Sequence, residues 1–304
     1  MGKIAVLGVF VADLAFRAER MPQMGETLMG QSFAMNPGGK GSNQAVAAAR
    51  MGADVSMITR LGRDNFAEMA AALWADAGIT PKVIHDPDSY TGAAHIFVEN
   101  ASGDNAIIIA PGAGALIGPE DLDAQAALIG QADVFVTQLE QPMDAAMRGL
   151  QIARDTGVRT VLNPAPAAPL PDGMLELCDF VTPNETECEA LTGVTVSTAE
   201  DAETACRVLR DQGVGTPIIT MGEKGAYLWG HGLVPAITAG PVVETTGAGD
   251  AFNGGFAAAL ADGKTPAEAT LYGCATAGIS VTRSGTAPSM PERAKVEALV
   301  ARHR

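Results

Sequence analysis

Cysteine is scarce in this chain and scattered. Its four copies, Cys178, Cys188, Cys206 and Cys274, show no C-x-x-C spacing. That excludes a zinc-ribbon pattern and a disulfide framework, and leads us to expect a reducing, cytoplasmic setting. Histidine is equally rare. His85, His95, His231 and His303 form no H-E-x-x-H or similar cluster, so no zinc centre is expected. Basic charge is in deficit, with 20 Lys and Arg against 35 Asp and Glu and a formal net charge of −15. A chain without a basic excess is not expected to bind nucleic acid, although a local pocket on an acidic protein can still hold a nucleotide. Long apolar runs are missing. No segment reaches about 18 uninterrupted apolar residues, the length of a membrane span, and the apolar start Lys3 to Val9 is too short for a signal peptide. Three familiar loop signatures are also absent. Lys40 is followed by Gly41 and not by Ser or Thr, which removes G-x-x-x-x-G-K-[ST]. No G-x-G-x-x-G follows the first apolar run and no G-x-S-x-G elbow occurs.

What the chain does have is glycine, 35 residues of it, in an otherwise ordinary composition that is 47% hydrophobic. Its 304 residues can bury a sizeable core. Short β-rich runs alternate with helical ones. Lys3 to Val9, Val55 to Thr59, Val134 to Thr137, Val158 to Leu162, Phe180 to Thr182 and Pro217 to Thr220 read as buried strands. Ala45 to Met51, Asn65 to Ala77, Met143 to Asp155, Thr198 to Gln212 and Ala251 to Leu260 read as helices. Trp74 falls on the core face of its helix. The alternation predicts right-handed crossovers and an α/β fold with a doubly wound, mostly parallel sheet flanked by helices. Two regions differ. Residues 14–35 interleave polar and apolar side chains, and 93–109 read as a hairpin. Both are expected to stand off the main body as exposed β-structure.

Two glycine-rich stretches lead into helices. In Glu244-Thr-Thr-Gly-Ala-Gly-Asp-Ala-Phe-Asn-Gly-Gly255, small residues let the backbone approach a ligand, and free N–H groups at a helix start favour phosphate. Asp250 stands at that helix mouth. A helix cap is the commoner role for such a residue; abstraction of a hydroxyl proton beside a phosphate is the other. In Asn36-Pro-Gly-Gly-Lys-Gly-Ser-Asn-Gln44 the glycines allow tight turns, and Asn43 can both donate to and accept from a polyol. Gln138, Glu140, Asn163, Asn184, Glu187, Thr220 and Gly222 all follow directly after predicted strands. That is where open α/β sheets bind ligands. Glu185 and Glu189 are expected only to face solvent.

These stretches, with Gln138-Leu-Glu140, Leu162-Asn-Pro-Ala-Pro-Ala and Thr182-Pro-Asn-Glu-Thr-Glu187, make the chain resemble the ribokinase-like (PfkB-type) carbohydrate kinases over almost its whole length. The resemblance implies one kinase domain over 1–304, with a small β-sheet lid formed by about 14–35 and 93–109. It implies ATP as co-substrate, Mg²⁺, activation by K⁺, a sugar acceptor, and a homodimer paired through the lid. Asp250 would be the general base, with Gly247, Ala248 and Gly249 as anion hole. Asp13, Gly39, Lys40, Asn43, Glu140 and Asp250 would line the sugar site. Asn184, Thr220, Gly222, Gly225, Gly249 and Cys274 would hold ATP, and Asn184 and Glu187 would act near Mg²⁺. Glu244, Thr246, Ser280, Arg283, Gly285 and Ser289 would surround K⁺.

Two residues depart from the family pattern. Glu244 stands where Asp is usual, which bears on K⁺. Val11 stands where an Asn is usual, two residues before Asp13, which bears on the sugar. D-ribose leads as acceptor, with deoxyribose, another sugar or a nucleoside as alternative and a non-catalytic sensor last.

Overall fold

The computed structural model describes residues 1–303. Its strands are β1 (Lys3–Leu7), β2 (Val11–Ala18), β3 (Ser32–Gly38), β4 (Asp54–Leu61), β5 (Thr80–His85), β6 (Thr91–Glu99), β7 (Asn105–Gly112), β8 (Val134–Thr137), β9 (Arg159–Leu162), β10 (Phe180–Val181), β11 (Thr216–Thr220), β12 (Gly225–Leu228) and β13 (Gly232–Pro235). Its helices are α1 (Lys40–Arg50), α2 (Asn65–Ala77), α3 (Pro119–Ala124), α4 (Ala126–Ile129), α5 (Met143–Asp155), α6 (Glu185–Thr192), α7 (Ala199–Asp211), α8 (Ala248–Ala261), α9 (Pro266–Ser280) and α10 (Arg293–Ala301).

Nine strands form the main sheet in the order β13-β12-β11-β10-β9-β8-β1-β4-β5. All neighbours from β11 to β5 are parallel, and β12 and β13 close one edge antiparallel. The central strands are buried on both faces: β8 is buried at every residue, and Ile4, Val6 and Leu7 of β1 are at most 1% exposed. This is why they read as unbroken apolar runs. One face packs on α1, α2, α8 and α9 through a core that includes Trp74, Phe252 and Phe256. The other packs on α5 through Leu7, Phe135, Leu150 and Leu162. The expected doubly wound sheet is the fold.

The second sheet has four strands, β3-β2-β6-β7. β2 pairs antiparallel with β3 and parallel with β6, and β6 pairs antiparallel with β7. The exposed β-structure expected over 14–35 and 93–109 is present, but each strand extends further towards the body. β2 begins at Val11, β3 runs to Gly38 and β7 to Gly112. The lid therefore carries Asp13 and leads directly into the first glycine-rich turn.

The sequence places the start of the first helix at Ala45; the structure starts it at Lys40. The reason is close packing. Gly39 enters the helix at φ 88°, and a Cβ there would lie 2.5 Å from the Val9 carbonyl oxygen. A Cβ on Gly41 would lie 2.6 Å from the Gly8 Cα. Poor helix formers thus occupy the first turn because only they let α1 press against the end of β1. Trp74 lies fully buried beneath this turn, its indole nitrogen donating to the Ser42 hydroxyl at 2.9 Å.

Candidate active site

Asp250 lies in the first turn of α8, one turn after Gly247, which takes φ 80° to start the helix. The residue is only 7% exposed. Both oxygens are held from α1: Asn43 Nδ2 donates to Oδ2 at 2.9 Å and Gln44 Nε2 to Oδ1 at 3.0 Å. The helices that carry these partners meet through glycine. A Cβ on Gly254 would lie 2.4 Å from Ala47 Cβ and 2.7 Å from the Gln44 carbonyl oxygen. Burial pushes the Asp250 carboxyl above the usual carboxylate range, against the opposing pull of Lys40 and the Asn43 and Gln44 hydrogen bonds. A buried carboxylate with a raised pKa is a stronger base than one in water.

The residues expected to bind sugar gather around it. Gly38 has no side chain because a Cβ would lie 2.3 Å from an Asp13 carboxylate oxygen. Burial, and then the charge of Asp250, raise Asp13 to about 6. Glu140 follows β8, and its Oε2 accepts from the Lys40 backbone N–H at 2.7 Å. Burial raises it to about 7, with Lys40 opposing and the charges of Asp250 and Asp13 adding to the rise. Burial works against the charge of Lys40, but Asp250, Glu140 and Glu187 outweigh it and hold the ammonium above its ordinary value. Asn43 Oδ1 is buried and has no hydrogen-bond partner, an acceptor that a bound ligand would satisfy. Val11, on the same strand face as Asp13, is 6% exposed and packs in the apolar cluster of Val9, Ala94 and Leu139.

The stretch expected to form the anion hole lies at the surface end of α8. Among the described residues, the N–H groups of Gly247, Gly249 and Asp250 meet no acceptor within the chain, whereas Ala248 donates to the Thr245 carbonyl at 3.1 Å. Ala248 and Gly249 also line a cavity of about 390 Å³. All six residues expected to hold ATP, Asn184, Thr220, Gly222, Gly225, Gly249 and Cys274, lie on its wall. The rest of the wall is largely apolar, from Ile237 to Gly240, with Val242, Phe252 and Val281. No sequence signal marked this stretch, since an apolar wall has no motif. Glu185, read from sequence as facing solvent, lines the cavity instead and is only half-exposed.

Asn184 and Glu187 form a reciprocal cap on α6. Glu187 N–H donates to Asn184 Oδ1 at 2.8 Å and Asn184 N–H to Glu187 Oε2 at 2.9 Å. The second Glu187 oxygen makes no hydrogen bond among the described residues. One free carboxylate oxygen within electrostatic reach of Lys40 and Asp250 fits a hydrated Mg²⁺ held through water. For K⁺, the loops 243–247 and 280–289 lie together, with Val243 and Glu244 N–H both donating to the Val281 carbonyl. Glu244 Oε2 accepts from Gly285 N–H at 2.8 Å, and Arg283 donates to the Ser289 carbonyl at 3.2 Å. Ser280 Oγ donates to the Ala277 carbonyl, and Thr246 follows Glu244 on the first loop. The longer Glu side chain reaches across the two loops, and one carboxylate among hydroxyl and carbonyl oxygens is a donor chemistry that would suit a monovalent cation.

Comparison with known proteins places this geometry. Residues 1–293 match the profile of the pfkB family carbohydrate kinase. The ribokinase of Haemophilus influenzae is 41% identical over 293 residues, 95% of each chain. The deoxyribokinase of Salmonella typhi is 39% identical over 294 residues, again 95% of each. The structure of Arabidopsis thaliana ribokinase complexed with ribose and ATP superposes with a TM-score of 0.94 at 31% identity, covering 99% of both chains. The chain belongs to the pfkB family of carbohydrate kinases.

Proposed function

We propose that the protein transfers the γ-phosphoryl group of ATP to the 5-hydroxyl of D-ribose, giving ribose 5-phosphate. One observation carries the reading. Asp250 turns its carboxylate towards Asn43 and the charges of Lys40 and Asp13, while its neighbours Ala248 and Gly249 line the apolar cavity. A base and an anion site thus meet at one helix start, with a polar pocket for a polyol on one side and room for a nucleotide on the other.

The chemistry follows from those groups. Asp13, Glu140 and Asn43 Oδ1 accept hydrogen bonds from sugar hydroxyls. Asp250 takes the proton of the attacking hydroxyl. The free N–H groups of Gly247, Gly249 and Asp250 stabilise charge on the transferring phosphoryl group, for which positioning and electrostatics supply most of the acceleration. Lys40 keeps the surrounding carboxylates from repelling the incoming phosphates. Asn184 and Glu187 would hold Mg²⁺ through water, and the ion would neutralise charge on the phosphates. Glu244, Thr246, Ser280, Arg283, Gly285 and Ser289 would hold K⁺, which would brace the anion site; exchanging K⁺ for choline is then expected to lower turnover. The lid covers the sugar and excludes water, which suppresses idle ATP hydrolysis.

On the face opposite Asp13 the lid also presents Phe16, Phe33, Met35 and Ile108, each at least 42% exposed. An apolar surface of that kind suits burial against a second copy, and we take the protein to be a homodimer through its lid. Four buried, unpaired cysteines fit a reducing cytoplasm.

Deoxyribose is the second reading. Val11 offers an apolar surface where a hydroxyl partner is usual, and a deoxyribokinase is nearly as similar as the ribokinase. The mechanism is tested by Asp250→Asn, followed through ADP formation with D-ribose. Turnover falls by about 10² or more while sugar and ATP still bind, as for loss of a general base. Near-native turnover would remove Asp250 from the chemistry.

A further inference from the structure

Gln44 belongs to the first glycine-rich stretch, but the site as described gives it no contact with sugar or nucleotide. It is 1% exposed. Its Nε2 donates to two acceptors at once, Asp250 Oδ1 and Asn163 Oδ1, both at 3.0 Å. Its Oε1 accepts from Gln138 Nε2 at 2.7 Å. The orientation of the amide is therefore fixed by its neighbours. Turned over, it would set an oxygen against the Asp250 and Asn163 oxygens and an NH₂ against the Gln138 NH₂. Asn163 is anchored in turn, with its Nδ2 donating to the Thr182 carbonyl at 3.3 Å. The Thr182 hydroxyl donates to Asn253 Oδ1 at 2.6 Å, and Asn253 Nδ2 donates to the Gly249 carbonyl at 2.9 Å.

Gln138, Asn163 and Thr182 are the first residues after β8, β9 and β10. Three adjacent ends of the rigid sheet thus converge through Gln44 on the Asp250 side chain, and through Asn253 on the backbone of the anion site. All five are at most 6% exposed. Apart from Gln138 Oε1, which is buried without a partner, their side-chain amides are all hydrogen-bonded, and a network of this kind in a low-dielectric interior holds its members firmly.

We propose that Gln44 is a positioning residue for phosphoryl transfer: its amide, aimed by Gln138 and shared with Asn163, fixes the Asp250 carboxylate against the sheet so that its free lone pairs face the acceptor hydroxyl. The inference rests on Asp250 being the base. Asn43 holds one carboxylate oxygen from within the sugar pocket and is free to exchange partners with the substrate. Gln44 holds the other from behind, and its partners are all protein groups. The charged groups facing Asp250 are Lys40 on α1, Asp13 on β2, Glu140 after β8 and Glu187 on α6. All remain when Gln44 is changed, so a shift in the acid limb reports the lost donor.

The test is a cycle of three enzymes beside the native one: Gln44→Met, Asp250→Asn and the double variant. Methionine keeps the length and removes the donor. In Gln44→Met, kcat with D-ribose falls about tenfold, the sugar and ATP KM values change less than about threefold, and the acid limb of kcat moves to higher pH. In the Asp250→Asn background the same change costs nothing further, because the group it positions is gone. A Gln44→Met loss that is equal in both backgrounds, or an acid limb that stays in place, would overturn the proposal and leave Gln44 a packing residue. Near-native turnover of Asp250→Asn alone would instead overturn the assignment of the base. If Gln44→Met does not fold, Gln138→Met frees the amide to turn and gives the same signature at a smaller size; native kcat and pH profile in that variant would equally refute it.

Discussion

Replacing Gly254 by alanine puts the packing of α1 against α8 to a quantitative test. An alanine Cβ at that position would sit 2.4 Å from Ala47 Cβ, 2.7 Å from the Gln44 carbonyl oxygen and 2.9 Å from the Ala48 nitrogen. Carbon atoms prefer about 3.5–4.0 Å, so the helices must part by roughly 1 Å. Two of the three obstacles are backbone, which cannot turn aside. Overpacking of a core costs about 1–3 kcal/mol, and here the upper half of that range applies. Alanine returns about 1 kcal/mol of helix propensity over glycine. The net destabilisation is about 1–2 kcal/mol, a fall in Tm of about 2–3 °C for a chain of this size. The effect on activity is larger. Asn43 and Gln44 ride on α1 and Asp250 on α8, and their hydrogen bonds of 2.9 and 3.0 Å do not survive a 1 Å separation. A displacement of that order costs about 10²-fold in rate, so kcat falls by about ten- to a hundredfold in the folded variant. Calorimetry and initial rates of ADP formation give both numbers. A higher Tm with unchanged kcat would mean that helix propensity wins and that close approach is not what glycine supplies here.

Other outcomes follow from the charges and from the lid. Asp13 and Glu140 titrate at about 6 and about 7, above their ordinary values near 3.8 and 4.5. Their contribution to stability is fully present below those ordinary values and is lost as pH rises through 6 and 7. The Tm of the ligand-free protein therefore falls between pH 5 and 8 relative to an Asp13→Asn/Glu140→Gln variant. Added ribose, which on the proposed reading would donate to the ionised carboxylates, is expected to raise Tm more at pH 8 than at pH 5.5; parallel profiles for the two proteins would remove the buried carboxylates from the account. Ile108→Glu places a charge on the apolar face of the lid, where Ile108 is 65% exposed. Sedimentation is expected to show a dimer for the native chain and a monomer for this variant, whereas two monomers or two dimers would reject the lid as the interface.

Legibility in the sequence tracked how local the cause was. The parallel sheet could be read because strands buried on both faces leave apolar runs, as in Val134–Thr137. The helix Asn65–Ala77 could be read because Phe66, Met69, Ala70 and Leu73 recur at helical spacing; the structure adds that Asp64 caps it and Gly78 ends it in the left-handed region. Asp250 and Lys40 could be singled out because glycine beside a polar residue marks close approach. The beginning of α1 could not, because Gly-Lys-Gly-Ser-Asn is a poor helix former whose conformation is imposed by Gly8 and Val9 across the sheet. The strand β5 escaped notice because Thr-Pro-Lys-Val-Ile-His carries no clean alternation at a sheet edge. The apolar wall from Ile237 to Val242 had no pattern at all. Gln44 stood inside a motif, but its partners come from two strand ends and the start of α8, and only the fold brings them within 3.0 Å.

The measurement that bears most directly on the account is kcat/KM for ATP-dependent phosphorylation of D-ribose, 2-deoxy-D-ribose, D-fructose and adenosine, with Mg²⁺ and K⁺ and a no-acceptor control. The account predicts the highest value for D-ribose, with product phosphorylated at the 5-hydroxyl and little ATP turnover without acceptor. A higher value for 2-deoxy-D-ribose would contradict the assignment of the acceptor and place the cause at Val11. Sugar binding without phosphorylation of any acceptor would contradict the catalytic reading itself.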